Sequence, residues 1–378
     1  MSYGYGTTTV DIIELPEHIP KELPYAIDDC SVAHHLGFKN RTLWYILHNT
    51  AAQYDVIQIP KRNGGMRIIH APNAMMKILL RRINDRFLSP MHLQLGPHVT
   101  AYRKGQSVTD AVKQHIPACP SCDAAPKGVT LKKHPCPRRG VYIKLDLRDF
   151  FHRTRRAWIR NYFKSLGYSH TVAGILSGLL VVQGQTRQNR NPHPITPQGS
   201  PASGTICNLV AAQRLDPMLL TYLEGLNARY GLNDDWRWVY SRYSDDLVFT
   251  CGVNPPKHEC VNILRDIKQI ITEAGYAVNH KKTKVTGGYH HKNMLGIVFN
   301  DKANYARKEY LQLRAIIHNC KTYGFTSQVQ QANQCSAEAL MEWLRGKINW
   351  VTQINPEKGQ ALLQDLQVAL TQQNERVL

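Results

Sequence analysis

The sequence has no apolar run long enough to cross a bilayer. Its longest, residues 172–182, is interrupted by Gly and Ser and falls far short of the roughly 20 residues a spanning helix needs. The first 18 residues contain neither a basic segment nor an apolar one, so no secretory signal is expected and the cytoplasm is the expected location. Acidic residues are scarce, with 28 Asp and Glu against 47 Lys and Arg, a net charge of +19. An enzyme of small neutral metabolites does not need that field. Its partner is expected to be a polyanion, with nucleic acid first and an anionic membrane second. The lack of an apolar span weakens the membrane reading. There is no internal repeat. Cysteines number nine, an odd count that argues against a disulfide framework and, without a secretory signal, for metal or free thiols in a reducing compartment.

What is present is enough for a core. Hydrophobic residues make up 43% of 378, which excludes a disordered chain and allows two or three domains. Residues 1–40, with Pro16, Pro20 and Pro24, read as an N-terminal extension carrying one short helix near 27–36. Residues 54–60 alternate like a strand, Asn63-Gly64-Gly65 supplies turn chemistry, and residues 66–70 resume the strand, which predicts a hairpin. Residues 72–90 have helical apolar spacing. Residues 116–140, rich in Pro, Lys and Cys and without periodicity, read as an insert. A strand is expected at 141–146, two helices at 153–183, a polar loop at 184–198, a helix at 203–226, a hairpin at 237–251, a helix at 256–275 and a last strand at 292–299. From Ala306 only helical spacing follows. The expected class is therefore α+β to about residue 300, then all helical.

Three acidic residues stand out. Asp146 ends an apolar strand, and Asp245 and Asp246 sit between two apolar strand halves. A carboxylate there cannot face a core, because an unpaired buried charge is too costly. A tight turn would project Asp245 and Asp246 from a hairpin tip, and a neighbouring strand would bring Asp146 beside them. Such a cluster repels itself unless cations neutralise it. Hard oxygen donors select Mg2+, and two such ions clamp the attacking and leaving oxygens of a phosphoryl transfer. Taken alone, Asp-Asp is more readily a solvated turn.

The surrounding motifs settle the context. Tyr243-Ser244-Asp245-Asp246 resembles the Tyr-x-Asp-Asp box of reverse transcriptases. Lys-Leu-Asp-Leu-Arg-Asp-Phe-Phe (144–151) resembles that family's first aspartate motif, and Pro-Gln-Gly-Ser-Pro-Ala-Ser (197–203) its template-positioning loop. All three occur in the family's order, and the resemblance spans about residues 54–320. It implies a right-hand polymerase of fingers and palm (41–302) followed by an all-helical, RNA-binding thumb (303–378). Asp146, Asp245 and Asp246 would be catalytic and would hold Mg2+. Lys61 and Arg67 on the fingers hairpin would meet the triphosphate. Gln198 and Gly199 would let backbone approach the templating pair. Lys282, or its neighbour Lys281, in Asn-His-Lys-Lys (279–282) would lie near the phosphates. Phe151 would be the sugar gate, its ring leaving no room for a 2′-OH, and Phe150 its core-facing neighbour.

Within the family, the chain is most similar to retron enzymes. Residues 307–319 resemble their segment after the palm. Met-Leu-Gly (294–296) stands where they carry Val-Thr-Gly, and a literal Val-Thr-Gly falls earlier, at 285–287. Asp-Ala-Val-Lys-Gln-His (110–115) departs from their Asn-Ala-x-x-His element. This resemblance implies an RNA-directed DNA polymerase that copies a cognate non-coding RNA, both template and primer, from deoxynucleoside triphosphates. The product would be single-stranded, RNA-linked DNA (msDNA), with an effector protein and a role in anti-phage defence. Arg307, Tyr310, Arg314, Trp343 and Lys347 are the expected RNA-binding residues of the tail, although the rings are as readily core. Two alternatives stay open. One is another bacterial reverse transcriptase, of phage-exclusion or intron type, against which no maturase or endonuclease extension is seen. The other is a non-catalytic RNA-binding protein with a polymerase fold. The insert poses a separate question: Cys119-x2-Cys122 and His134-x-Cys136 offer four soft ligands for Zn2+, or are free thiols in a solvated loop.

Overall fold

The computed structural model describes residues 28–61, 64–125, 134–183, 193–288 and 290–377. Most of the N-terminal extension lies outside the described residues. Its predicted helix is there as Asp29–Leu36, opened by a capping box in which the Asp28 carboxylate accepts from the Ser31 N–H at 2.8 Å.

Strands β1 (Tyr54–Pro60) and β2 (Met66–Pro72) form the expected antiparallel hairpin, with Ile57 opposite Ile69. Gly64 and Gly65 both take φ near +80° in its turn, a region closed to most side chains. Val56, Ile57, Ile59 and Met66 are exposed, so the hairpin stands clear of the core as a ribbon. Helix Ala74–Ile83 follows, capped by the Asn73 side chain, which accepts from the Met76 N–H at 2.9 Å.

The palm is a four-stranded antiparallel sheet of β3 (Tyr142–Asp146), β6 (Val239–Tyr243), β7 (Asp246–Thr250) and β8 (Lys284–Thr286), in the order β6-β7-β3-β8. Two short pairing segments, β4 (Val182–Gln183) and β5 (Pro194–Ile195), bracket residues 184–192, which lie outside the described residues. Alternation sorts the palm's side chains. Ile143, Leu145, Leu247 and Phe249 face a core closed by helices Ser203–Arg214, Asp216–Arg229 and Lys257–Glu273. Tyr142, Val248 and their partners face the other way, toward a three-stranded sheet of β9 (Asn293–Met294), β10 (Ile297–Phe299) and β11 (Ala303–Tyr305) and the C-terminal helices. Asp146 and Asp246 share that second face by the period-2 rule.

Three expectations need correction. The helix expected over 203–226 is two helices that meet at Leu215, because Pro217 supplies no N–H to a continuing helix and suits a first turn instead. The last strand expected at 292–299 is a hairpin: Leu295 (φ 53°) and Gly296 (φ 85°) turn the chain between β9 and β10. The tail opens with a strand, β11, and only then turns helical at Arg307. Helices Arg307–Tyr323, Ala337–Ile354 and Pro356–Val377 pack around Leu313, Ile317, Leu344, Ile348 and Leu362. Among the described residues, no helix is long and apolar enough to cross a membrane.

Candidate active site

The site is built by two strand ends and one turn. β6 and β7 are joined by the two-residue turn Ser244-Asp245, with Ser244 at φ +59°, the left-handed entry that two-residue hairpins favour. β7 then pairs with β3 so that Asp246 stands directly opposite Asp146. Directly opposed side chains begin about 5 Å apart, and like charges there repel. The main chain ties the third carboxylate in, for the Leu147 N–H donates to the Asp245 carbonyl at 2.8 Å. Asp245 is pushed up to about 6 by burial first and then by Asp246 and Asp146.

Cationic side chains hold two of the three carboxylates. Lys282 Nζ donates to Asp146 Oδ2 at 2.7 Å, and Asn279 Nδ2 to Asp146 Oδ1 at 3.1 Å. Lys144 Nζ lies 3.0 Å from Asp246 Oδ1. Lys282, rather than Lys281, is the lysine brought to the aspartates. Lys144 and Asn279 escaped the sequence reading, although Lys144 lies two residues before Asp146 on the same strand face, a signal that alternation offers.

Phe150 is buried beneath the palm, while Phe151 is half-buried at the site. The Phe151 ring meets Tyr102 edge-on at 6.4 Å. Tyr102, which no motif flagged, is held at φ +56°, an uncommon conformation for a bulky residue. Its hydroxyl is 3.3 Å from Ser244 Oγ. A Cβ at Gly204 would sit 2.6 Å from the Tyr102 ring, so the glycine makes room for it.

Gln198 and Gly199 dock against the fingers hairpin. The His70 N–H donates to the Gln198 carbonyl at 2.7 Å. Gly199 has φ +115°, and a Cβ there would lie 2.6 Å from the His70 carbonyl oxygen. This backbone approach requires glycine. Lys61 and Arg67 are exposed at the hairpin tip, and neither forms an ion pair among the described residues.

Behind the turn runs a buried polar network. Arg242, fully buried, donates to Asp216 from Nε at 2.9 Å and from Nη2 at 2.8 Å, and from Nη1 to Asn208 Oδ1 at 2.7 Å. Tyr240 Oη donates to the same Asp216 at 2.9 Å. Burial alone would push the Asp216 carboxyl up, but Arg242 and His98 outweigh it and hold it well below the usual carboxylate range. Nearby, the departing element at 110–115 has its own task. His115 is buried with Nε2 2.6 Å from Ser241 Oγ and Nδ1 2.8 Å from Thr250 Oγ1, tying β6 to β7.

In the C-terminal helices, Arg307 and Arg314 are exposed. Tyr310 and Trp343 pack against the helical core, with Lys358 lying 5.1 Å over the first ring and Lys347 5.7 Å over the second.

An antiparallel palm that converges three carboxylates beside lysines, with a finger-like hairpin docked on a glycine loop, is the architecture of a nucleic-acid polymerase. The chain belongs to the reverse transcriptase (RNA-dependent DNA polymerase) family, whose model matches residues 59–299. Its relatives include retron enzymes. It is 30% identical over 322 residues to the Retron Mx65 reverse transcriptase of Myxococcus xanthus, covering 82% of this chain and 63% of that one. It is 22% identical over 330 residues to the Retron Ec86 reverse transcriptase of Escherichia coli, covering 85% and 83%. The chain thus spans under two thirds of the Mx65 relative's length. Among solved structures, apo telomerase from Candida tropicalis aligns at a TM-score of 0.42 and 12% identity, over 87% of this chain and 64% of that one.

Proposed function

We propose that the protein is an RNA-directed DNA polymerase of retron type, which copies a cognate structured RNA into single-stranded, RNA-linked DNA. The observation that carries this is the face-to-face register of Asp146 and Asp246, with Asp245 at the adjoining turn. Three clustered carboxylates would repel the phosphates of a polyanionic partner, so a protein that only binds RNA has no use for them. They are the hard donor set that suits divalent cations. The raised Asp245 fits that reading, since burial first, and then a cluster with more carboxylates than Lys144 and Lys282 neutralise, disfavours its charge until a cation is bound. We assign Asp146, Asp245 and Asp246 as the holders of two Mg2+. When bound, such ions neutralise developing charge and polarise the oxygens of an in-line phosphoryl transfer.

The chain's own residues supply the rest. Asn279 and Lys282 orient Asp146, and Lys144 orients Asp246. Lys282 is also within reach of a triphosphate near Asp146. Phe151, backed by Tyr102, closes the space beneath the incoming sugar against a 2′-OH. The Gln198-Gly199 backbone supports the templating pair, and Lys61 and Arg67 at the hairpin tip offer charge to the leaving phosphates. The exposed Arg307 and Arg314, with Lys347 beside Trp343 and Lys358 over Tyr310, give the C-terminal helices (303–378) a cationic surface for the RNA. Its similarity to retron enzymes extends this proposal to a cytoplasmic role in anti-phage defence with an effector protein.

Asp245→Asn is the test. The variant should lose DNA synthesis, because two-metal transfer depends on the ligand geometry, yet keep its affinity for RNA, which rests on Lys and Arg. Normal extension rates in the purified variant would overturn the assignment.

A further inference from the structure

Among the described residues, polymerisation leaves one cluster of cysteine side chains unused. Cys119 and Cys122 flank the start of the short helix Pro120–Ala124, and His134 and Cys136 come from the returning end of the insert, just before the 3-10 turn Pro137–Arg139. The three sulfurs lie within 4.8 Å of one another. Cys119 Sγ is 3.3 Å from His134 Nε2, and Cys122 Sγ is 3.5 Å from Cys136 Sγ. A disulfide needs about 2.05 Å between sulfurs, so these are thiols in contact. Ligands at about 2.3 Å (S) and 2.0 Å (N) from a tetrahedral zinc stand roughly 3.5–3.8 Å from each other. The Cys119–His134 and Cys122–Cys136 contacts are close to that spacing, and the three sulfurs form a compact group that His134 joins at Cys119.

The surroundings hold the ligands in place. Arg138, nearly buried, donates from Nε to the Pro117 carbonyl at 2.8 Å and from Nη2 to both Asp123 oxygens at 2.8 and 2.7 Å. Asp123 in turn accepts from the Cys119 N–H at 3.3 Å. Lys292, 2% exposed, donates from Nζ to the Arg138 carbonyl at 2.8 Å. Three thiolates and a neutral imidazole around Zn2+ carry one net negative charge, and the buried Lys292 ammonium offsets it. Burying a lysine beside such a centre has a use that burying it beside neutral thiols does not.

We propose that Cys119, Cys122, His134 and Cys136 bind one structural zinc ion, which staples the insert to the end of the palm opposite the aspartates. Four protein ligands leave no open coordination position, so the ion is structural. Its anchors are specific. A Cβ at Gly140 would come 1.8 Å from the Cys251 carbonyl oxygen, so the insert's return lies flat on the end of β7. Lys292 leads straight into β9, at the root of the C-terminal helices. The ion would brace the junction of palm and tail. This stands independently of the polymerase reading, since none of its residues approaches the aspartates.

The test is metal analysis of the full chain, purified without chelator. About one zinc per chain is expected. Cys122→Ser should lower this to below about a tenth, whereas His134→Cys, which keeps four ligands, should retain it. Chelator should lower the thermal midpoint of the wild type and leave that of Cys122→Ser unmoved. Should Cys122→Ser fail to fold, cobalt substitution of the wild type gives an answer on its own, through thiolate-to-cobalt charge-transfer absorption. A zinc-free wild type that stays zinc-free after refeeding with zinc chloride, with no cobalt spectrum, overturns the proposal. So does a Cys122–Cys136 disulfide seen as a mass lower by two hydrogens.

Discussion

At the scale of single residues, the contrast between Phe150 and Phe151 is the sharpest. The two are neighbours in sequence and chemically identical, yet one fills the core beneath the sheet and the other borders the site. If Phe151 is the sugar gate, Phe151→Ala opens room for a 2′-OH, and the ratio of ribo- to deoxynucleotide incorporation should rise by at least about tenfold, or ~1.4 kcal/mol of discrimination. Single-nucleotide extension with each triphosphate measures it. An unchanged ratio would move the gate to Tyr102, whose ring stands edge-on to Phe151.

At the scale of elements, the two-residue turn carrying Asp245 is only as well placed as the strands that feed it. β6 is anchored from behind by Arg242, which spends its whole hydrogen-bonding fork on Asp216 and Asn208 at the two helices below the sheet. Removing one partner of such a pair leaves an uncompensated buried charge. Asp216→Asn should therefore cost about 3–5 kcal/mol, read from urea unfolding. Because Asp216 is held below its unfolded value, the pair contributes stability that is fully present above about pH 4 and is lost as the pH falls toward the folded value. The variant should lack that acid limb. A urea midpoint within error of the wild type would show the network to be dispensable.

At the scale of the whole molecule, net charge and selectivity separate. A charge of +19 supplies affinity for any RNA, and that affinity should fall by orders of magnitude between about 50 and 200 mM salt. Phosphate contacts do not read sequence, so the proposed preference for one structured RNA would have to come from shape and unpaired bases. Cells expressing the protein with its flanking locus should contain short single-stranded DNA joined to RNA, absent with Asp245→Asn, and a foreign RNA stem should be copied poorly in vitro. Equal copying of any annealed primer and template, with no RNA-linked DNA in cells, would remove the retron reading and leave a polymerase.

The aspartates were legible in the sequence because their placement is a local matter. Alternation puts Asp146 and Asp246 on one face of β3 and β7, at the strand ends, where Lys282, Asn279 and Lys144 reach their carboxylates. The hairpin at 54–72 was legible because Asn-Gly-Gly between alternating strands has few other uses, and the cysteine cluster at 119–136 because its members lie close along the chain. What only the tertiary structure decided is whatever depends on residues far apart in sequence. Arg242 meets Asn208 and Asp216, Tyr102 meets Ser244, and Lys282 rather than Lys281 meets Asp146, none of which periodicity can foretell. The same holds for Tyr310 and Trp343. Helical spacing puts them on a face, but only the packing of three helices determines that each ring lies partly buried against the helical core with a lysine over it.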